Sequence, residues 1–257
     1  MLTLAIDHST AAICMALLRD DTPSASRRWV ADREHAGRLW GEFRLLFEEC
    51  GARPDAVDCF AVGLGPGVYS GLRVSLMAIR GMAMPGVKPV LGISSGEAIA
   101  ARAFRAGQHD TAVVIGDARR GRLWAGVFSR GGQWPVMTVP YRLILPAELA
   151  SLTPPGTILL SPDPARTRPM TDDLLLDGVV RVQTPALPDA EDIGLLALAR
   201  IRAGIIPAPS DPLRPIYLHP PVFVAPRAAC QRAVKNGLAA ESDFNQAVGV
   251  DARRVFG

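Results

Sequence analysis

The chain has 257 residues, 49% of them hydrophobic and 21% charged, with a formal net charge of +3. That length can bury a sizeable core and hold two modest domains, and the composition is that of a globular protein, neither disordered nor fibrous. No apolar run approaches the roughly 18 residues a membrane span requires, and the mild positive charge permits an RNA-related role without arguing for one.

The N-terminus MLTLAIDHST lacks a basic region and meets Asp7 at once, so neither a signal peptide nor an anchor is expected, which points to the cytoplasm. Leu2 to Ile6 reads as a strand and Ile13 to Leu18 as another, joined by the hairpin turn Asp7-His8-Ser9-Thr10. Ser26 to Val30 adds a third strand. From Asp32 or Arg33 to Cys50 the spacing predicts a helix, with Leu39, Phe43, Leu46, Phe47 and Cys50 on one stripe and Gly51 just past its end. Trp40 widens that stripe beyond what one core face needs.

The stretch Val57 to Met84 organises the rest. Cys59 to Val62 form an apolar strand ending at Gly63; Gly65, Pro66 and Gly67 forbid regular structure; a helix follows, with Leu72, Leu76, Ile79 and Ala83 on one face. Ser70 is placed to cap that helix. Arg73 and Arg80, seven apart, share a different face, and Met77 and Met84 also lie off the core stripe. A strand passing through glycines into a helix can present amides to an anion. Two common versions are excluded by spacing. Gly71 is followed by Leu72-Arg73, where a P-loop needs Lys-Ser/Thr, and Gly65, Gly67 and Gly71 are spaced G-x-G-x-x-x-G, not G-x-G-x-x-G. The plainer reading is a tight strand-to-helix turn.

A strand at Pro89 to Ile93 and a helix from Ser95 to Ala106 follow, with Ser94, Ser95 and Glu97 offering capping chemistry. At Thr111 the pattern echoes itself: a strand to Ile115, the turn Asp117-Ala118-Arg119-Arg120-Gly121, and a returning strand from Leu123 to Phe128. Both units open with a hairpin whose first strand ends in aspartate (Asp7, Asp117), the mark of an internal duplication. Beyond Phe128 the pattern thins. A short helix is expected at Pro146 to Leu152, a strand at Thr157 to Leu160, a proline-rich loop from Ser161 to Thr171, a helix from Glu191 to Arg202 and a last strand at Ile216 to Leu218. The division expected is 1–109, 110–218 with its last helix packing back on the first half, and a proline-led tail 219–257, with an amphipathic helix near Ala228 to Ala239.

The runs AIDHSTAAICMALL, AVGLGPGVYSGLR, VLGISSGEAIA, IGDARRGRLWAGVF and RPIYL, in that order, resemble the TsaB (YeaZ) family. The likeness spans roughly Met1 to Leu218, and G-P-G-x-[FY]-[ST]-G-L-R is its most specific block. The resemblance implies an α/β fold of the actin-like (ASKHA) type, two ribonuclease-H-like halves, each a mixed sheet flanked by helices. It implies a cytoplasmic role in making threonylcarbamoyl-adenosine beside the tRNA anticodon, as the non-catalytic partner of a TsaD-like subunit joined by a TsaE-like ATPase. Two departures stand out: Val68, Tyr69 and Ser70 replace the usual Ser-Phe-Thr, and the family's Tyr-Leu-Arg ending reads Tyr217-Leu218-His219.

Each chemical candidate has an ordinary alternative. The superfamily's catalytic members hold a metal through H-x-x-x-H; of His8, His35, His109 and His219, His35 begins the first helix but Leu39 stands four residues on. A solvated or capping histidine is the better account, so no metal and no peptidase (M22-type) or transferase centre is expected. Asp7, Ser9 and Thr10, with Asp117 in the second half, mark where a nucleotide and magnesium would sit in an active relative. They equally serve as strand-ending turn residues. Arg119, Arg120 and Arg122 crowd the second turn, so the nucleotide site reads as vestigial and no cofactor is expected. Ser70 lies in G-V-Y-S-G-L, not in a nucleophile elbow. Cys14, Cys50, Cys59 and Cys230 are scattered and fit packed thiols.

With the resemblance added, Leu39, Trp40, Phe43, Arg73, Met77, Arg80 and Met84 become the expected contact with a TsaD-like subunit, or with a second copy as a homodimer when the chain is alone. tRNA is then met only indirectly and no membrane is involved. Two rivals remain: an active ATPase or small-molecule kinase on the same fold, and a direct RNA-binding module suggested by Arg119, Arg120 and Arg122, which lacks aromatic interleaving or a known RNA motif.

Overall fold

The strands of the first sheet carry large side chains on one face and small ones on the other. In the computed structural model, which describes residues 1–31, 35–207 and 212–219, β1 (Leu2–Asp7), β2 (Ala12–Arg19) and β4 (Cys59–Gly63) turn Leu4, Ile6, Ile13, Met15, Leu17, Phe60 and Val62 to one side. Ala5, Cys14, Ala16, Cys59 and Ala61 point to the other. The period-2 alternation of a strand produces this division. With β3 (Thr22–Val30) and β5 (Val90–Ile93), the order is β3-β2-β1-β4-β5. The β3-β2 and β2-β1 pairs are antiparallel and the rest parallel.

The second sheet repeats the scheme. It comprises β6 (Thr111–Asp117), β7 (Leu123–Ser129), β8 (Val136–Ile144), β9 (Ile158–Leu160) and β10 (Val180–Arg181). Its order β8-β7-β6-β9-β10 has antiparallel pairs on the hairpin side and parallel pairs beyond β6. The internal echo read from the two aspartate-ended hairpins is therefore a duplication of topology. Two mixed five-stranded sheets so connected are the two ribonuclease-H-like halves of the actin-like fold.

Five layers result. α1 (His35–Glu49) and α2 (Tyr69–Ala83) cover the large-residue face of the first sheet, burying Leu39, Phe43, Leu46 and Phe47 from α1 and Leu76, Ile79 and Ala83 from α2. The small-residue face receives α5 (Ala190–Arg202), and Gly194 lets it approach until a Cβ there would meet Leu18 and Ala5. α3 (Ser95–Ala106) lies beside α5 and presses Ile99, Ala100 and Phe104 onto the second sheet. Glu97 and Arg200 pair across these helices at 2.7 Å, and Asp192 bonds Arg102 and Arg105. The far face of the second sheet is covered thinly, by a 3-10 turn (Pro146–Leu152) and α4 (Pro164–Thr171). Met1–Leu218 make one compact unit.

Several expectations are corrected. The predicted proline loop at 161–171 contains α4, because Pro164 at its first turn costs no hydrogen bond. Ile216 to Leu218 form no strand; Ile216 N–H donates once, to Leu64 O at 2.8 Å. β8 and β10 were not foreseen. Ser70 does not cap α2, which starts at Tyr69 with Val68 in the cap position and no side-chain bond. Ser94 does cap α3, accepting from Glu97 N–H. The predicted helix near 228–239 and Cys230 lie outside the described residues, as does the side chain of His35. Among the described residues no helix is long and apolar enough to cross a membrane.

Candidate functional site

The glycine turn is pressed against the first hairpin. A Cβ built on Gly67 would stand 2.0 Å from the Ser9 carbonyl oxygen, and one on Gly71 would stand 2.3 Å from that of His8. Gly65 adopts φ +88°, a left-handed conformation that side chains resist. Gly65 and Val68 bond within the chain. Val68 N–H donates to Ser9 O at 2.8 Å, Gly65 N–H to Ser95 Oγ at 3.0 Å, and Gly65 O accepts from Ser95 N–H at 2.9 Å.

Asp7 is the hub of this contact and is fully buried. Its Oδ1 accepts from Ser9 N–H at 2.8 Å and Ser9 Oγ at 2.7 Å, and its Oδ2 accepts from Ser95 Oγ at 2.5 Å. Burial raises its carboxyl above the ordinary aspartate range, against the lowering effect of those bonds. Gly63 passes so close that a Cβ there would strike Asp7 Oδ2. Thr10 is occupied in its own turn, exchanging bonds with Ala12. A nucleotide–magnesium pair needs an ionised carboxylate facing an open cleft and amides free to meet phosphate. Asp7 is enclosed, and the Gly65 and Val68 amides are bonded within the chain, so neither that carboxylate nor those two amides is open to such a pair.

Asp117 ends β6 as Asp7 ends β1, but its surroundings differ. It is only partly buried, accepts from Arg119 N–H at 2.7 Å, and pairs with Arg119 at 3.2 Å and Arg166 at 3.8 Å. The two aspartates thus occupy matching places in the duplicated topology, one as a buried clasp and one as a partly buried ion-pair partner. No group of three or more His, Cys, Asp or Glu among the described residues is arranged to hold a metal. His8 is buried beside Gly71, and His109 contacts Gly156 O at 3.3 Å.

The outer face of α1 and α2 is the other site. On α2, Tyr69, Arg73, Met77, Arg80 and Met84 follow one another at three- or four-residue spacing, one stripe along the helix. Met77 is 67% exposed, Met84, just past the end of α2, 74% and Tyr69 56%. Arg73 donates to Tyr69 Oη at 2.7 Å and lies over its ring, and Tyr217 packs on the same ring at 5.0 Å. On α1, Trp40 is 55% exposed and lines a groove of about 450 Å³ with Phe43, Phe47 and Met82. Among the residues expected to form the contact, Leu39 and Phe43 are corrected: at 2% and 3% exposure they belong to the core. Their positions on the stripe face the sheet, while Trp40, one residue round the helix, faces out.

The family described as "TsaD: tRNA N6-adenosine threonylcarbamoyltransferase" matches residues 29–170, more than half of the chain. The Bacillus subtilis tRNA threonylcarbamoyladenosine biosynthesis protein TsaB is 28% identical over 180 residues, 68% of this chain and 77% of that protein. The Escherichia coli protein of the same name is 29% identical over 136 residues, 52% of this chain and 58% of that protein. The solved structure of YeaZ from Pseudomonas aeruginosa superposes with a TM-score of 0.70 at 26% identity, over 84% of this chain and 99% of that one. The chain belongs to the TsaD-domain family, as a TsaB (YeaZ) member.

Within that family the G-P-G block now has a physical meaning in this chain. Gly67 and Gly71 permit backbone contact with the first hairpin, and Gly65 supplies the reversal. Val68 and Ser70 are exposed, so the departures from Ser-Phe-Thr leave the clasp untouched. Sequence reasoning missed Ser95 and Gly63, whose role depends on a strand and a helix start meeting Asp7. It also missed Tyr69 and Tyr217, which only the fold brings into stacking.

Proposed function

We propose that this chain takes part in tRNA threonylcarbamoyladenosine biosynthesis as a non-catalytic scaffold that docks a TsaD-like catalytic subunit. The observation that carries this reading is the outward stripe of α2, apolar and cationic by turns, lying in the outermost layer beside exposed Trp40. Methionines and aromatics on an exposed helix adapt to a partner's surface, and arginines at its edge set register and orientation. The burial of Asp7 and the internal use of the glycine turn support a chain whose chemistry is done by its partner. A TsaE-like ATPase joins that assembly, and the same face pairs two copies when the partner is absent. Residues 1–109 and 110–218 act as the two halves of one rigid support, and the work is cytoplasmic.

The test is co-purification with a TsaD-like subunit after Arg73→Glu, Arg80→Glu and Met77→Asp, made singly and together. We expect loss of the complex with an unchanged unfolding temperature of the chain alone. An intact complex in the triple variant would discard the interface. Tight magnesium-ATP binding by the isolated chain, seen calorimetrically, would overturn the non-catalytic reading in favour of an ATPase.

A further inference from the structure

The β6–β7 hairpin breaks local rules at its tip. Arg119 and Arg120 both adopt left-handed backbone, φ +66° and +54°, and Gly121 follows at +69°. Long side chains avoid that region, which hairpin turns fill with glycine or asparagine. The strain secures no contact within the chain for the residue at its centre. Arg119 returns to Asp117, and Arg166 spans Asp117 and Asp163, so the local carboxylates are matched. The backbone of Arg122 closes the turn, accepting from Ala118 N–H at 2.9 Å and donating to Arg119 O at 3.1 Å, but the exposed side chains of Arg120 and Arg122 make no hydrogen bond or ion pair with any described residue. The matching turn of the first half, Asp7 to Thr10, is largely buried and carries no arginine. Departures from local preference without a structural return collect at functional positions.

We propose that this arginine tip is a contact for the phosphate backbone of RNA. Arginine's planar fork suits phosphate, and a turn projecting from the sheet can reach a groove edge. Trp124, the nearest tryptophan in sequence, is buried, so the tip offers charge without a stacking platform. The contact is therefore to backbone: it positions RNA and does not read its sequence. Choosing RNA over an acidic protein surface rests on the tRNA-modification reading above, and it replaces the expectation that tRNA is met only indirectly.

The experiment measures binding of an unmodified tRNA transcript to the full chain, alone and with a TsaD-like subunit, across a salt series. Co-elution of the two proteins is scored separately. Arg120→Ser/Arg122→Ser should lower the slope of log affinity against log salt by about two, one for each lost phosphate contact, with co-elution intact. Arg120→Lys should keep the slope. Arg120→Gly should raise the unfolding temperature, by relieving the left-handed arginine, while lowering the slope by about one. An unchanged slope in the double variant overturns the proposal and leaves the scaffold reading standing. So does loss of co-elution with an unchanged slope, which would assign the tip to a protein partner. If the wild-type proteins do not co-elute, the scaffold reading falls, and the slopes of the chain alone still decide the tip.

Discussion

Gly67→Ala separates a packing role for the glycine turn from an anion-binding one. The new methyl would sit 2.0 Å from Ser9 O and 2.7 Å from both Ser9 C and Ser9 Cβ. These are backbone and near-backbone atoms, so no flexible side chain can swing aside. Relief requires the turn to retreat from the hairpin by about an ångström or more, far enough to cost the Val68 N–H to Ser9 O bond. Overpacking of this kind costs about 1–3 kcal/mol. Losing a backbone bond adds about 0.5–1.5 kcal/mol. A total near 3 kcal/mol, at about 2–4 °C per kcal/mol for a chain of this size, predicts a fall in unfolding temperature of about 6–12 °C. Gly41→Ala is the control: nothing lies within 4 Å of its Cβ position on α1, so helix propensity should stabilise the chain by about 0.5–1 kcal/mol. Thermal unfolding followed by circular dichroism reads both. If Gly67→Ala melts with the wild type, the turn does not touch the hairpin and the clasp described above is wrong.

Asp7→Asn should gain stability relative to the wild type as pH rises. Burial raises the folded-state carboxyl above its ordinary 3.8, so the native chain holds that proton more tightly than the unfolded one. Wild-type stability therefore falls as pH climbs from that value to the folded one, a slope the amide lacks. Urea titrations at pH 4 and pH 7 measure the difference, and a variant that loses ground with rising pH contradicts the burial argument. Leu39→Ala and Trp40→Ala test the division between core and docking face on adjacent residues. The first should cost about 2–5 kcal/mol, the second under about 1 kcal/mol, while only the second should weaken partner binding in a folded protein.

The first half was legible because β1, β2 and β4 are apolar on both faces and its helices keep a clean 3.6-residue period. The second half was less so for physical reasons. β8 is an edge strand alternating exposed and half-buried residues around Pro140, which sits unpaired at an irregularity in the β7–β8 register, a place where an edge strand tolerates proline. α4 is polar and contains Pro169, so neither periodicity nor propensity marks it. At the sites, sequence separated Met77 and Met84 from the core stripe correctly but grouped Leu39 and Phe43 with Trp40. A stripe's width says that some residue must face outward, and only the position of the sheet says which. The aspartates were found by their place at strand ends. Their opposite environments were not legible, because the residues that enclose Asp7 come from Gly63 and Ser95, far along the chain.

Duplication explains how one topology carries two kinds of surface. Both halves keep the same strand order, yet the first has two 15-residue helices over its outer sheet face, where the second has an eight-residue helix and a 3-10 turn. The inner faces admit little variation, since α3 and α5 are held between the two sheets by small residues and by ion pairs. Divergence is therefore confined to the outer layers and hairpin tips. In the first half the tip is closed by Asp7 and the glycine turn, which leads directly into α2 and the stripe from Tyr69 to Met84. In the second half the equivalent tip is exposed, with Arg119 turned back to Asp117. Closing one turn and opening the other leaves two halves of the same strand order with differently exposed tips, the asymmetry on which the docking and RNA-contact proposals both rest.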